Sequence, residues 1–137
     1  MNWIGAVSAL AAFLGIWLGH VSVRKIEARS PTIWLPTLIA LILGLALEAW
    51  ALLSKSLYLS GALGILGMTV LFDALEFTRQ EKRVKKGHAP ANPENPRHAH
   101  ILASYPLATS VDWLARPPLG RPLSEEEIRE IAREAGA

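Results

Sequence analysis

Residues 57–87 read LYLSGALGILGMTVLFDALEFTRQEKRVKKG. The stretch divides at Phe72. Leu57 to Phe72 carries no charged side chain, whereas Asp73 to Lys86 is dense with them. The second half holds neither Gly nor Pro, and Gly87 is a candidate C-terminal cap. The spacing predicts one continuous helix of about 30 residues, roughly 45 Å long, that starts in an apolar solvent and ends in water.

Two further apolar runs precede it, Trp3 to Val23 and Ile33 to Leu53. Residues 1–23 contain no Asp, Glu, Lys or Arg, and residues 30–54 contain one, Glu48. The chain is 51% hydrophobic and only 19% charged, with the charges gathered at one end. A soluble domain spreads charge over its whole surface, so these blocks point to lipid as the solvent. In lipid a lone strand leaves its backbone unpaired, so the runs are expected to be helices. The first run has no positive leading region and no small-residue cleavage signal, which predicts a retained span rather than a secretory leader. The fold class expected is all-α: three transmembrane helices (3–23, 33–53 and 57–76), the third continuing to residue 86. Residues 1–86 then form the bundle and 87–137 a tail ending in a short amphipathic helix.

Lys and Arg set the orientation. Arg24, Lys25, Arg29, Arg79, Lys82, Arg83, Lys85 and Lys86 fall on one side of a three-span chain, and only Lys55 on the other. This predicts an N-terminus outside, a cytoplasmic tail and residence in the inner (plasma) membrane. Trp3, Trp50 and Tyr58 fit the outer interface, Trp34 and Phe72 the inner one. Pro36, one turn into the second span, costs little because first-turn amides lack helical partners.

Small residues recur on single helix faces. The first span offers Gly5, Ser8, Ala12, Gly15, Gly19 and Ser22, and Gly15 with Gly19 forms a GxxxG pair. The third offers Ser60, Gly64, Gly67 and Ala74, the second Thr37, Gly44 and Ala51. Such faces let helices approach closely in lipid. Packing within the chain is one reading, with Gly15, Gly19, Gly64 and Gly67 at the contacts. Docking of the first-span face on another subunit is the other.

Three ionisable groups fall at or near membrane depth. Glu48 lies about 7 Å below the outer end of the second span. It reads either as an interfacial acid that snorkels or bonds Tyr58, or as a group handling protons, cations or a partner. His20 and Asp73 lie at similar depth near the inner ends of the first and third spans, where a structural hydrogen bond is expected. A haem held by two histidines needs a second intramembrane His, which the chain lacks. No cofactor and no metal site is expected: cysteine is absent, and His88, His98, His100 and Glu94 lack a diagnostic ligand spacing.

Beyond the membrane, Arg79, Lys82, Arg83 and Lys86 share one helix face, suited to topology, to anionic lipid headgroups or to an acidic partner. Nucleic acid is not an expected partner, because Glu76 and Glu81 interleave the patch. Residues 88–100, with Pro90, Pro93 and Pro96, read as extended and irregular. Residues 101–123 mix apolar side chains such as Trp113 with four prolines, too apolar for a free linker and too broken for a domain. Ser124 and Glu127 form a capping box that opens a helix over 125–135, with Ile128 and Ile131 as its apolar edge. Such a tail lacks the material for a core of its own, which predicts that it folds against a partner.

The start Met1-Asn-Trp-Ile-Gly5, the three spans, and the block Gln80-Glu-Lys-Arg-Val-Lys-Lys-Gly87 followed by Asn92-Pro93 resemble an uncharacterised bacterial family of small membrane proteins, domain-of-unknown-function family 4491. The resemblance covers residues 1–97. It implies a three-helix membrane fold and supplies no catalytic residues, and it adds weight to a binding role for the 80–87 block. The family pattern carries aromatic residues after the glycine where this chain has His88 and Ala89, and the 40 residues after 97 are an addition to it.

No nucleophile–base pair and no phosphate-binding glycine loop is present, so a non-enzymatic role is expected. The leading expectation is an accessory or anchoring subunit of a larger membrane complex. The alternatives are a self-associating transporter or channel built on Glu48, and a regulatory protein that binds anionic lipid through residues 79–86.

Overall fold

A computed structural model of the chain describes residues 3–113, 115 and 122–134. Among these residues it contains five helices and no strand: α1 (Ile4–Arg29), α2 (Trp34–Leu53), α3 (Leu57–Lys85), α4 (Pro96–Ser104) and α5 (Glu125–Glu134). Met1, Asn2, two of the four prolines between 101 and 123 (Pro117 and Pro118) and residue 135, which entered the sequence reading, lie outside the described residues.

The first three helices are long and apolar enough to cross a membrane, and the chain is a membrane protein. Phe13, Ile42 and Met68 are 65%, 60% and 64% exposed. Water would penalise such surfaces on three helices at once, whereas acyl chains solvate them. α1 runs past the expected end of its span to Arg29, so Arg24, Lys25 and Arg29 sit on its last turns rather than in a loop. No Gly or Pro interrupts residues 20–30, and the helix stops where Pro31 forces Ser30 into extended backbone (φ −74°, ψ 126°). Residues 54–56 join α2 to α3, and the Ser60 hydroxyl donates to the Ala51 carbonyl at 2.8 Å, tying the hairpin at its turn.

The chain forms two compact units, Met1–Arg79 and Gln80–Ala137. The division falls inside α3 and not at its end, because the last turns of that helix belong to the second core. In the first unit Val23, Ala40, Ala74 and Phe77 form the buried cluster, flanked by Ile33 and Val70. In the second, Val84, Ala89, Ala91 and Ile101 do so, flanked by Leu102 and Ala108. Sequence reading assigned no core to the tail and no helix between residues 87 and 124; the Val84–Ile101 cluster and α4 correct both points. α4 starts at Asn95-Pro96, where the Asn95 side chain accepts from the Arg97 N–H at 3.0 Å and Pro96 takes the first helical position. A proline that reads as a breaker is here an initiator.

α3 ends as its sequence predicts. Gly87 has φ +71°. The His88 N–H reaches the Arg83 carbonyl at 2.8 Å and the Gly87 N–H reaches that of Val84 at 3.0 Å, the two bonds of a Schellman motif. A Cβ on Gly87 would run into the carbonyl oxygen of Leu107. The chain also crosses back through the Ala91 N–H, which donates to the Thr109 carbonyl at 2.8 Å. At α5, Ser124 N–H donates to Glu127 Oε2 at 2.8 Å and Glu127 N–H to Ser124 Oγ at 3.3 Å, completing the capping box.

Candidate functional site

Within the first unit, the small residues of the spans are spent on each other. A Cβ on Gly15 would lie 2.7 Å from Thr69 Oγ1, and one on Gly19 2.7 Å from Asp73 Oδ1, so the GxxxG face of α1 receives α3. A Cβ on Gly44 would lie 2.6 Å from Leu71 Cγ and 3.0 Å from its backbone nitrogen. The Glu48 side chain lies along α3: a Cβ on Gly67 would meet Oε1 at 2.8 Å, and one on Gly64 would meet Oε2 at 3.9 Å. Glu48 is half-buried and makes no hydrogen bond to Tyr58. Asp73 lies close enough to His20 for their charges to interact, but no hydrogen bond or ion pair joins them.

These acids do not share a path. At 100° per residue, Thr69 and Asp73 lie about 120–160° around α3 from Gly67. Glu48 therefore lies against one side of α3, whereas Asp73 projects from a different side, toward Gly19 of α1. Between the three helices an apolar groove of about 340 Å³ is lined by Gly15, Gly19, Pro36, Ala40 and Val70, with Asp73 as its one acid. Its chemistry suits an acyl chain or an apolar side chain, not an ion.

Two buried acids belong to the same unit: Glu27, which sequence reading missed, and Glu76, which it read only as interleaving the basic face. Glu27 is 1% exposed, and Glu76 is 6% exposed, with its carboxylate 2.8 Å from Arg79 Nη1. The signal for Glu27 was present: Gly15, Gly19, Val23 and Glu27 follow one another at four-residue steps, so the row that faces α3 continues beyond the apolar run.

In the second unit the predicted basic face resolves into unequal members. Arg83 Nη1 donates to Gln80 Oε1 at 3.1 Å, and Arg79, at the end of the first unit, pairs with Glu76 and stacks 5.1 Å from the Phe72 ring centre. Lys85 pairs with Glu81 at 3.2 Å and lies 5.3 Å from the Tyr105 ring centre. Lys82 and Lys86, four residues apart, have no ionic partner among the described residues. With Lys85, Tyr105, Pro106 and Leu107 they enclose a cleft of about 350 Å³. Leu107 is 70% exposed at its edge.

His98 is fully buried, and its Nδ1 accepts from the Asn92 N–H at 2.9 Å. Arg97 Nη2 lies 2.9 Å from Nε2, within hydrogen-bond distance. His98 serves the fold, while His88 and His100 are exposed. Among the described residues no three His, Cys, Asp or Glu side chains converge as a metal would require. Trp113 and Ile131 are half-buried, Ile128 is exposed, and α5 buries no residue.

The model of the family described as Domain of unknown function (DUF4491) matches residues 2–95. The chain belongs to this family. The match takes in α1 to α3, the Gly87 cap and the turn to Asn95, and it stops at the threshold of α4. Within the cleft, the lysines therefore lie inside the family region, while Tyr105, Pro106 and Leu107 lie in the part added to it. No curated protein and no solved structure matches the chain.

Proposed function

We propose that this protein is a non-catalytic anchoring subunit of a larger membrane complex. Its bundle is the mount, and the unit from Gln80 onward is the working part, held in the cytoplasm at the inner membrane and offered to other subunits. The observation that carries this reading is the folded second unit itself. It takes in the last turns of α3, and around one cleft it holds an exposed leucine and two lysines that have no ionic partner among the described residues. The small-residue faces support the mount more than the docking, because Gly15, Gly19, Gly44 and Gly67 are filled from within the chain. A transporter built on Glu48 finds less support. Its carboxylate and that of Asp73 lie on different sides of α3, and the groove between the helices is apolar.

The test is a gentle purification of the full chain from its native membrane in mild detergent, with quantitation of what accompanies it. The expected result is one or more other subunits at fixed stoichiometry. A chain that emerges with no other subunit, at every detergent tried, overturns the reading.

A further inference from the structure

We propose that the cleft of Lys82, Lys86, Tyr105 and Leu107 receives α5 of a second copy of this chain. The inference rests on the reading of the second unit as a docking platform, and it names one occupant.

The match lies in the pattern of both surfaces. α5 reads EEEIREIARE and carries five Glu and two Arg, a net charge of −3. At 100° per residue, Ile128 and Ile131 lie about 60° apart. Glu127, Glu130 and Glu134 fall together on one flank of that edge, and Arg129 and Arg133 fall on the back, about 160° from Ile131. The front of α5 is therefore isoleucine bordered by carboxylates. The cleft is its complement, with Tyr105, Pro106 and Leu107 bordered by Lys82 and Lys86. Lys82 lies in the last turn of α3 and Lys86 directly follows it, its N–H 3.2 Å from the Lys82 carbonyl, so the two stand one turn apart as Glu130 and Glu134 do on α5, a spacing of about 6 Å. Among the described residues α5 buries no residue, and the two lysines have no ionic partner.

Distance along α3 separates this occupant from a lipid surface. Twenty residues from Leu57 cross about 30 Å of hydrocarbon and end at Glu76. Lys82 then stands about 9 Å beyond the hydrocarbon and Lys86 about 15 Å, against a headgroup layer of about 5–8 Å. A typical tilt of about 20° shortens these heights by only a few per cent. Lys82 reaches headgroups by extending its side chain. Headgroups offer charge to the lysines alone, whereas α5 carries carboxylates for the lysines and isoleucines for Tyr105, Pro106 and Leu107. Two copies inserted in one membrane with the same topology also present cleft and helix on the same side, so each can lend α5 to the other about a two-fold axis.

The chain has no cysteine, so two introduced ones report one contact. Full-length chains carrying Leu107→Cys and Ile131→Cys under different tags are co-expressed and oxidised in the membrane. The expected product is a disulfide-linked dimer bearing both tags, absent when Ile131→Cys is replaced by Arg129→Cys on the back of α5. Lys82→Glu with Lys86→Glu should lower its yield roughly ten-fold, the product of two exposed ion pairs. Glu130→Lys with Glu134→Lys in the partner should restore it, which also shows that the variants fold. No two-tag dimer, a Leu107→Cys/Ile131→Cys chain that closes only on itself, or quenching of a Leu107→Cys label by spin-labelled anionic lipid in place of the cross-link each overturns the proposal. Loss of the cross-link with other subunits still co-purifying counts against this inference alone. A cross-link without other subunits counts against the anchoring role alone.

Discussion

Gly87→Ala tests whether the end of α3 organises the second unit. Gly87 holds φ +71°, a conformation that costs an L-residue with a Cβ about 1–2 kcal/mol. The new methyl also meets the Leu107 carbonyl oxygen, a backbone atom that moves only if the 105–109 segment moves with it. That segment supplies the Thr109 carbonyl to the Ala91 N–H and packs Ala108 on the Val84–Ile101 cluster. Relief of the clash therefore loosens a core and not only a turn. The total is at least about 2 kcal/mol, a factor of about 30 in the opening equilibrium. Hydrogen exchange followed by mass spectrometry on the detergent-solubilised chain reads this directly. The amides of 89–104 should exchange about 30-fold faster, while those in the middle of α1 and α2 stay unchanged. Gly5→Ala is the control, since a Cβ there meets nothing within 4 Å. Equal protection of 89–104 in wild type and Gly87→Ala would show that the Schellman turn and the Leu107 contact do not hold this core.

Two further perturbations address the bundle and its placement. Gly44→Leu forces a branched side chain against Leu71 and its backbone nitrogen, and should destabilise the bundle by about 1–3 kcal/mol in detergent-resistance or thermal melts, with Gly5→Leu neutral; equal melts for the two would refute the α2–α3 seam. Lys55→Cys and Ser124→Cys should react with a membrane-impermeant thiol reagent from opposite sides, Ser124→Cys from the cytoplasm only, and the reverse labelling would invert the orientation read from the Lys and Arg distribution.

The spans were legible because lipid imposes one requirement over 20 residues at a time. A block without charge, such as 57–72, satisfies it wherever its individual side chains point. The Gly87 turn and the Ser124–Glu127 box were legible for a different reason: each is a local rule in which the residue that caps stands within three or four positions of the group it caps. What failed was non-local. Val84, Ala89, Ala91 and Ile101 have no period of 2 or 3.6, and they become a core only because the chain reverses at Gly87 and again before Thr109. α4 was hidden for a related reason. Pro96 carries opposite meanings at a helix interior and at its first position, and only the Asn95 side chain bonded to the Arg97 N–H decides between them. The basic face was legible as a pattern and not as a site. Its four members are equivalent by spacing, but the partners Glu76 and Gln80 lie on the same helix three residues earlier and take Arg79 and Arg83 out of play.

That selection bears on how a chain of this size is built. In lipid the first unit gains nothing by burying apolar surface, so its stability has to come from close contact, and the glycines that permit contact cannot also serve as a docking face. Lys82, Lys86 and Leu107 sit outside that constraint. On the proposed cytoplasmic placement the hydrophobic effect operates there, and the unit from Gln80 onward has a small core that still leaves apolar and charged groups exposed. A unit this small gains more by covering its cleft than a large domain would. An α5 lent by a second copy, or a helix of the same pattern from another subunit, would stabilise the fold and make the assembly in one step. Stability of the second unit should therefore rise with the density of the protein in the membrane, as linkage requires of any fold that is completed by its partner.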